Sequence, residues 1–180
     1  MRVLKLLTIL SVLFVSACAS HAPMKTVDYV DISRFMGDWY VIANIPTFIE
    51  KGAHNAIETY QLDEDGNVLT TFSFYQDGFE GEFKQMNPKG FIKDKSTNAL
   101  WGMQFIWPFK ADYRIVYLDD DYQVTVIGRQ KRDYVWVMSR QPEMSDADFN
   151  QIKSFIAGLG YDVTKLQKVP QKWPAKSNKS

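Results

Sequence analysis

Two histidines and one cysteine are the chain's whole stock of imidazole and thiol. His21 stands in a polar N-terminal stretch and His54 at the head of an apolar run, so a metal site or a Cys/His nucleophile lacks parts. Glu58, Glu80 and Glu82 pair only by accident of folding. No glycine-rich phosphate loop occurs. The 21 Lys and Arg balance the 21 Asp and Glu, and no basic stripe interleaved with aromatics marks a nucleic-acid surface. The chain therefore reads as a non-enzyme with no metal, no cofactor and no nucleic-acid partner. Its surplus is aromatic, at 14% of residues within an apolar total of 46%. Side chains of that kind act by filling a core or by enclosing an apolar ligand.

Cys18 is a separate matter. Arg2 and Lys5 precede an apolar run over 6–15 that is shorter than the ~20 residues a bilayer span needs. It has the form of a signal-peptide core. Val15-Ser16-Ala17-Cys18 resembles the bacterial lipobox. That resemblance implies cleavage before Cys18, diacylglycerol on its sulfur and a third acyl chain on the new amino terminus. An ordinary secretory cut after Ala17 or Ala19 is the alternative. With a single Cys the exported domain has no disulfide and must rest on its own core. Each buried acyl CH₂ contributes ~0.8 kcal/mol, so two or three chains anchor stably. Ala19, rather than Asp, follows the Cys, which in this lipoprotein class favours the outer membrane, facing the periplasm. The expected organisation is a signal peptide at 1–17, a lipidated N-terminus and tether at 18–33, one domain at 34–173 and a mobile tail at 174–180.

Strand signals then recur at short intervals over 38–45, 55–62, 68–75, 83–92, 99–106, 112–118, 122–128 and 134–140. Asp63-Glu64-Asp65-Gly66-Asn67 is a strong turn between the second and third. Pro88 marks a bulge or an edge in the fourth. After Pro142 the period changes. Ser145 and Asp148 form a capping pair, Phe149, Ile152, Phe155, Ile156 and Leu159 recur at helical spacing, and Gly158 and Gly160 end the run. A short ninth strand is expected over 163–169. Eight antiparallel runs followed by one helix predict an all-β, closed up-and-down barrel with a C-terminal helix packed outside; pattern alone also admits a sandwich.

Motif content separates the two. Gly37-Asp38-Trp39-Tyr40 opens the first strand, Asp121-Tyr122 the seventh, and Arg140 ends the eighth. These resemble the three lipocalin motifs in order, with Asp120 where the second motif usually has Thr. The segments 38–46 and 132–142 resemble one branch in particular: the bacterial outer-membrane lipoprotein lipocalins, related to apolipoprotein D and the plant temperature-induced lipocalins. The resemblance covers about 30–173. It implies that Gly37, Trp39 and Arg140 form the structural base of an eight-stranded lipocalin barrel, with Arg140 stacked on Trp39 across its closed end.

Strand alternation then assigns an interior. If Trp39 and Arg140 face inward, so do Val41, Ala43 and Ile45 on the first strand, and Met138, Trp136 and Tyr134 on the eighth. The same reasoning directs Tyr60, Phe72, Phe74, Trp101, Met103, Phe105, Tyr113, Ile115 and Tyr117 into the barrel, and Thr125, Ile127, Val135 and Val137 outward under the helix. An apolar, aromatic interior with a few phenol hydroxyls suits an acyl chain with its polar head near the mouth. A core simply filled by these side chains is the competing reading. Apolar residues in the first loop, at 47–52, and in Ile106-Trp107-Pro108-Phe109 belong at the open end as a lid, a membrane contact or a dimer surface. The function expected is a lipid-binding lipoprotein that holds or transports a fatty acid, lysophospholipid or similar amphiphile for membrane maintenance under stress. A filled-core lipoprotein acting through a protein partner is the alternative, and a lipocalin-type enzyme a lesser one.

Overall fold

The computed structural model describes residues 22–173. The expected signal peptide, Cys18 and the expected tail at 174–180 lie outside the described residues. The strands are β1 (Gly37–Ile45), β2 (Ala53–Leu62), β3 (Val68–Gln76), β4 (Glu82–Met86), β5 (Lys89–Ile92), β6 (Leu100–Ile106), β7 (Phe109–Leu118), β8 (Val124–Gly128), β9 (Val135–Ser139) and β10 (Gln167–Lys168). Two helices accompany them, α1 (Ile32–Phe35) and α2 (Asp146–Gly158). Pairing is antiparallel between neighbours, and β1 pairs with β9, which closes an eight-stranded up-and-down barrel. β4 and β5 are one wall strand interrupted at Asn87-Pro88, because Pro has no N–H for the ladder; both halves pair with β3.

The segment expected as a ninth strand is mostly something else. Asp162 caps a single 3-10 turn at Val163–Lys165, and only the two residues of β10 pair with β1. The chain then runs between β1 and β2. Asn55 N–H donates to Pro170 O at 2.9 Å, and Gln171 Nε2 donates to Val41 O and Ala56 O. The C-terminal segment thus sews the two strands together where they stop pairing with each other.

Two irregularities re-aim side chains. The β1–β9 register shifts between Val41 and Ala43. Trp39 and Val41 point into the barrel, while Ile42, Ala43 and Ile45 pack outside. The expectation that Ala43 and Ile45 share the face of Trp39 is therefore corrected. In β7 the shift falls between Ile115 and Tyr117. Tyr113 and Ile115 point inward, but Val116 and Tyr117 lie outside, with the Tyr117 ring 5.5 Å from that of Phe155. Each is a one-residue bulge, and alternation counted straight through it inverts every face beyond. β8 is likewise offset by one residue from the expectation. Ile127 lies opposite Trp136 and Thr125 opposite Met138, on the inner face, while Val126 faces out opposite Val137.

α2 covers the outer face of this wall. Ser145 Oγ accepts the Asp148 N–H at 3.1 Å, and Asp146 and Asp148 in the first turn favour the helix dipole. Phe149, Ile152 and Ile156 bury their apolar stripe in the same cluster as Ile42, Val126, Val135 and Val137. The protein therefore has two apolar cores, one inside the barrel and one between barrel and helix. The stretch expected as a free tether also packs. Met24 and Val30 are buried, and Val30 N–H donates to Thr97 O at 2.8 Å.

Candidate ligand cavity

The closed end is built first by α1. Asp31 caps it, and its last residue, Phe35, is fully buried against Trp39, Tyr60 and Trp101, with ring centroids 5.0–5.6 Å apart. Trp39 Nε1 donates to Phe35 O at 2.8 Å. The Arg140 guanidinium lies 3.8 Å over the Trp39 ring. It donates to the carbonyls of Arg34, Phe35, Met36, Asp38 and Tyr122. Gly37 supplies the backbone turn beneath Arg140, in a conformation that side-chain-bearing residues rarely adopt. Its φ is +93°, and a Cβ there would sit 3.4 Å from Arg140 Nη1.

Above this floor lies a cavity of about 220 Å³ that reaches the open end of the barrel. Of the interior positions drawn from sequence, Phe72, Met103, Phe105, Tyr113, Tyr134 and Trp136 are on its wall. Tyr60, Phe74, Trp101 and Met138 are fully buried in the inner core and are not on the wall. Trp101 stacks on Tyr113 with the rings 12° from parallel, and its Nε1 donates to Asn98 O at 2.6 Å. Tyr117, outside the barrel, takes no part. The volume falls under the ~300–1,000 Å³ of typical ligand pockets, so the space suits a small ligand or part of a larger one.

Sequence reasoning passed over the polar groups here. Glu58 lies opposite Trp39 on β1 and Phe72 on β3, which turns it inward onto the cavity wall. Its carboxylate accepts the Tyr60 hydroxyl, and the Tyr60 and Tyr113 hydroxyls are 2.5 Å apart. Burial pushes the Glu58 carboxyl up to about 7, against the lowering pull of the Tyr60 hydrogen bond and with a further push from Glu50. Burial, then the charge of Glu58, holds both phenols well above the usual tyrosine range. Glu50, in the β1–β2 turn, accepts Trp136 Nε1 at 3.1 Å and Thr47 N–H at 2.9 Å, and burial raises its carboxyl too. The signal for Glu58 was present: it sits two residues from the inward Tyr60 on one strand. Glu50 lies in a turn and carried no periodic signal.

The mouth is apolar and uncovered. Phe48, Ile106, Trp107 and Phe109 are 73–81% exposed. No described helix is long and apolar enough to cross a membrane. The described N-terminus also ends here. Gln130 Nε2 and Arg132 Nη2, in the β8–β9 loop, both donate to Ala22 O.

Insecticyanin from the tobacco hornworm superposes with a TM-score of 0.65 over 85% of this chain and 86% of that one at 16% identity, which shows the fold alone. Sequence relatives are nearer. Temperature-induced lipocalin-1 of Arabidopsis thaliana is 34% identical over 86% of this chain and 87% of its own. Outer membrane lipoprotein Blc of Citrobacter freundii is 33% identical over 95% and 98%. The lipocalin-like domain family matches residues 30–171, which spans α1, every strand and α2, and on that evidence the chain belongs to the lipocalin family.

Proposed function

We propose that the protein is an acylated outer-membrane lipoprotein that holds the chain of a single-chain amphiphile, such as a fatty acid or lysophospholipid, in the barrel. The observation that carries this reading is the cavity itself: an apolar space of about 220 Å³ walled by Phe72, Met103 and Trp136 and open at one end. Relatives named as outer membrane lipoproteins support the location, and membrane maintenance is the role this reading implies. The place of the N-terminus supports a common orientation. Cys18 stands four residues before Ala22, a reach of at most about 14 Å from the mouth loop. Acyl chains on Cys18 and the exposed rings of Phe48 and Trp107 then meet the same bilayer, and the cavity opens toward its source of ligand.

Native mass spectrometry of the protein as purified tests the cavity. A bound single-chain lipid is expected, and Met103→Trp, which fills the wall, is expected to release it without unfolding the barrel. Retention of the same lipid by the variant places the ligand elsewhere. Metabolic labelling with a fatty acid tests the anchor: Cys18→Ser is expected to abolish label, and unchanged label refutes acylation at that residue.

A further inference from the structure

The floor of the cavity has a direction. The Glu58 carboxylate has no hydrogen of its own, so the Tyr60 hydroxyl donates to it. That commits the Tyr60 hydrogen. The contact between Tyr60 and Tyr113 at 2.5 Å then requires Tyr113 to donate and Tyr60 to accept. Every hydrogen in the chain Tyr113→Tyr60→Glu58 is spent inside the protein. Both ends of the chain, Glu58 and Tyr113, are on the cavity wall. What they offer inward is acceptor lone pairs: the second carboxylate oxygen of Glu58 and the free lone pair of Tyr113. A plain alkyl end placed there leaves the second carboxylate oxygen without a donor, and a ligand ether, ester or carboxylate oxygen meets only other acceptors.

We propose that Glu58, Tyr60 and Tyr113 form a subsite that takes a hydrogen-bond-donating group, a hydroxyl above all, on the inserted end of an alkyl amphiphile. The proposal rests on the cavity reading above and adds to it a selection by the buried end of the ligand. The remaining charges around the cavity do not replace such a donor. Asp112 on β7 is paired with Arg114 at 3.0 Å. Arg129, after β8 at the open end, is 3.5 Å from Asp133 and its Nε makes no hydrogen bond, but it stands at the mouth and not beside Glu58. Glu50, in the β1–β2 turn, is held by Trp136 and Thr47 and carries the same sign as Glu58. Arg140, on the far side of Trp39, is committed to backbone carbonyls.

The direction of the chain is reversible. A proton on Glu58 lets it donate to Tyr60, Tyr60 to Tyr113, and Tyr113 into the cavity. The floor then accepts a ligand oxygen that lacks a hydrogen. Because the Glu58 carboxyl sits at about 7, this reversal falls between pH 5.5 and 8.5.

Decan-1-ol and 1-methoxydecane test the subsite, since they share a chain, carry no charge and differ in one donated hydrogen. Both are titrated into the full-length purified protein and followed by tryptophan fluorescence. At pH 8.5 the alcohol is expected to bind at least tenfold tighter, and at pH 5.5 the ratio is expected to fall below threefold. Glu58→Gln, which cannot ionise, is expected to give one ratio at both pH values. Glu58→Met, which offers no acceptor, is expected to bind the two probes alike, and Tyr113→Phe to reduce the preference should either Glu58 variant fail to fold. Equal binding of the two probes by the wild-type protein at pH 8.5 overturns the subsite and leaves the lipid cavity standing. So does a preference that Glu58→Met leaves unchanged. Binding of neither probe overturns both.

Discussion

At the closed end of the barrel, Arg140 spreads its hydrogen bonds over five backbone carbonyls and lies against a Trp39 ring that has no exposed surface. At the open end, Phe48 and Trp107 are each 81% exposed and Phe109 75%. The same contrast holds for polar groups. Those at the base are satisfied by backbone. Those of the mouth and the cavity floor, Glu50 and Glu58, are two desolvated carboxyl groups, the first buried and the second half-buried, held by a few hydrogen bonds. The base is arranged for stability, and the mouth and cavity tolerate groups that cost stability. Such unfavourable groups are kept where a ligand or surface can answer them.

Trp39→Ala should separate the two ends most sharply. It removes the central ring of the base, to which Phe35 and Arg140 both pack. A loss of about 3–5 kcal/mol in denaturant unfolding is expected. A loss under about 1 kcal/mol would mean that the base does not carry the fold. Arg140→Ala comes next. Its five carbonyls regain only water or nothing, and the face of Trp39 is uncovered. About 2 kcal/mol is expected, with Arg140→Lys recovering less than half, because an ammonium cannot reach so many acceptors in one plane.

The base was the part most legible in sequence, for a physical reason. Gly37, Trp39 and Arg140 are coupled by one geometry, so each constrains the others. The turns and the capped helix were legible because Asp63–Asn67 and Ser145–Asp148 act locally. The faces of Thr125 and Ile127 were not, because β8 starts only at Val124, beyond Tyr122, whose φ of +58° breaks the alternation counted from the turn. Those of Ala43, Ile45 and Tyr117 were not either. A bulge is one extra residue with no marker in side-chain type, and it inverts everything after it. α1 was lost in the tether because four residues give no period to read. Of the cavity, the aromatic wall was legible and its acid was not, since Glu58 was weighed as a catalytic partner and never as an inward position.

The cavity's own signature should appear in pH dependence. A carboxyl at about 7 in the folded chain, against an ordinary 4.5 when unfolded, holds its proton more tightly when folded. Its contribution is complete below about pH 4.5 and is lost as pH rises through 7. Glu50 is shifted in the same direction. The ligand-free protein should therefore melt higher at pH 5 than at pH 8. Glu58 supplies a difference on the order of 2 kcal/mol, or roughly 4–8 °C in Tm. Glu58→Gln should flatten most of that slope, whereas Arg140→Ala should lower both values and leave it intact. A wild-type protein more stable at pH 8 than at pH 5 would contradict the buried acid.

The smallest effect belongs to the mouth, and its smallness is the point. Trp107 has as much apolar surface as Trp39, yet 81% of it is in solvent, so truncation removes little packing. Trp107→Ala should change unfolding free energy by no more than about 0.5 kcal/mol. The same holds for Phe48→Ala. Phe48, Ile106, Trp107 and Phe109 together expose apolar surface that adds no stability, which suits contact with something outside the fold. The full-length purified protein on vesicles of outer-membrane-like composition should show it. Fluorescence of Trp107 should shift to the blue on binding, as the indole leaves water for the interface. A vesicle-bound protein whose Trp107 emission stays that of a solvated indole would detach the mouth from the bilayer. A loss of 2 kcal/mol or more in Trp107→Ala would mean instead that the loop is a packed part of the barrel, and the contrast between its two ends would dissolve.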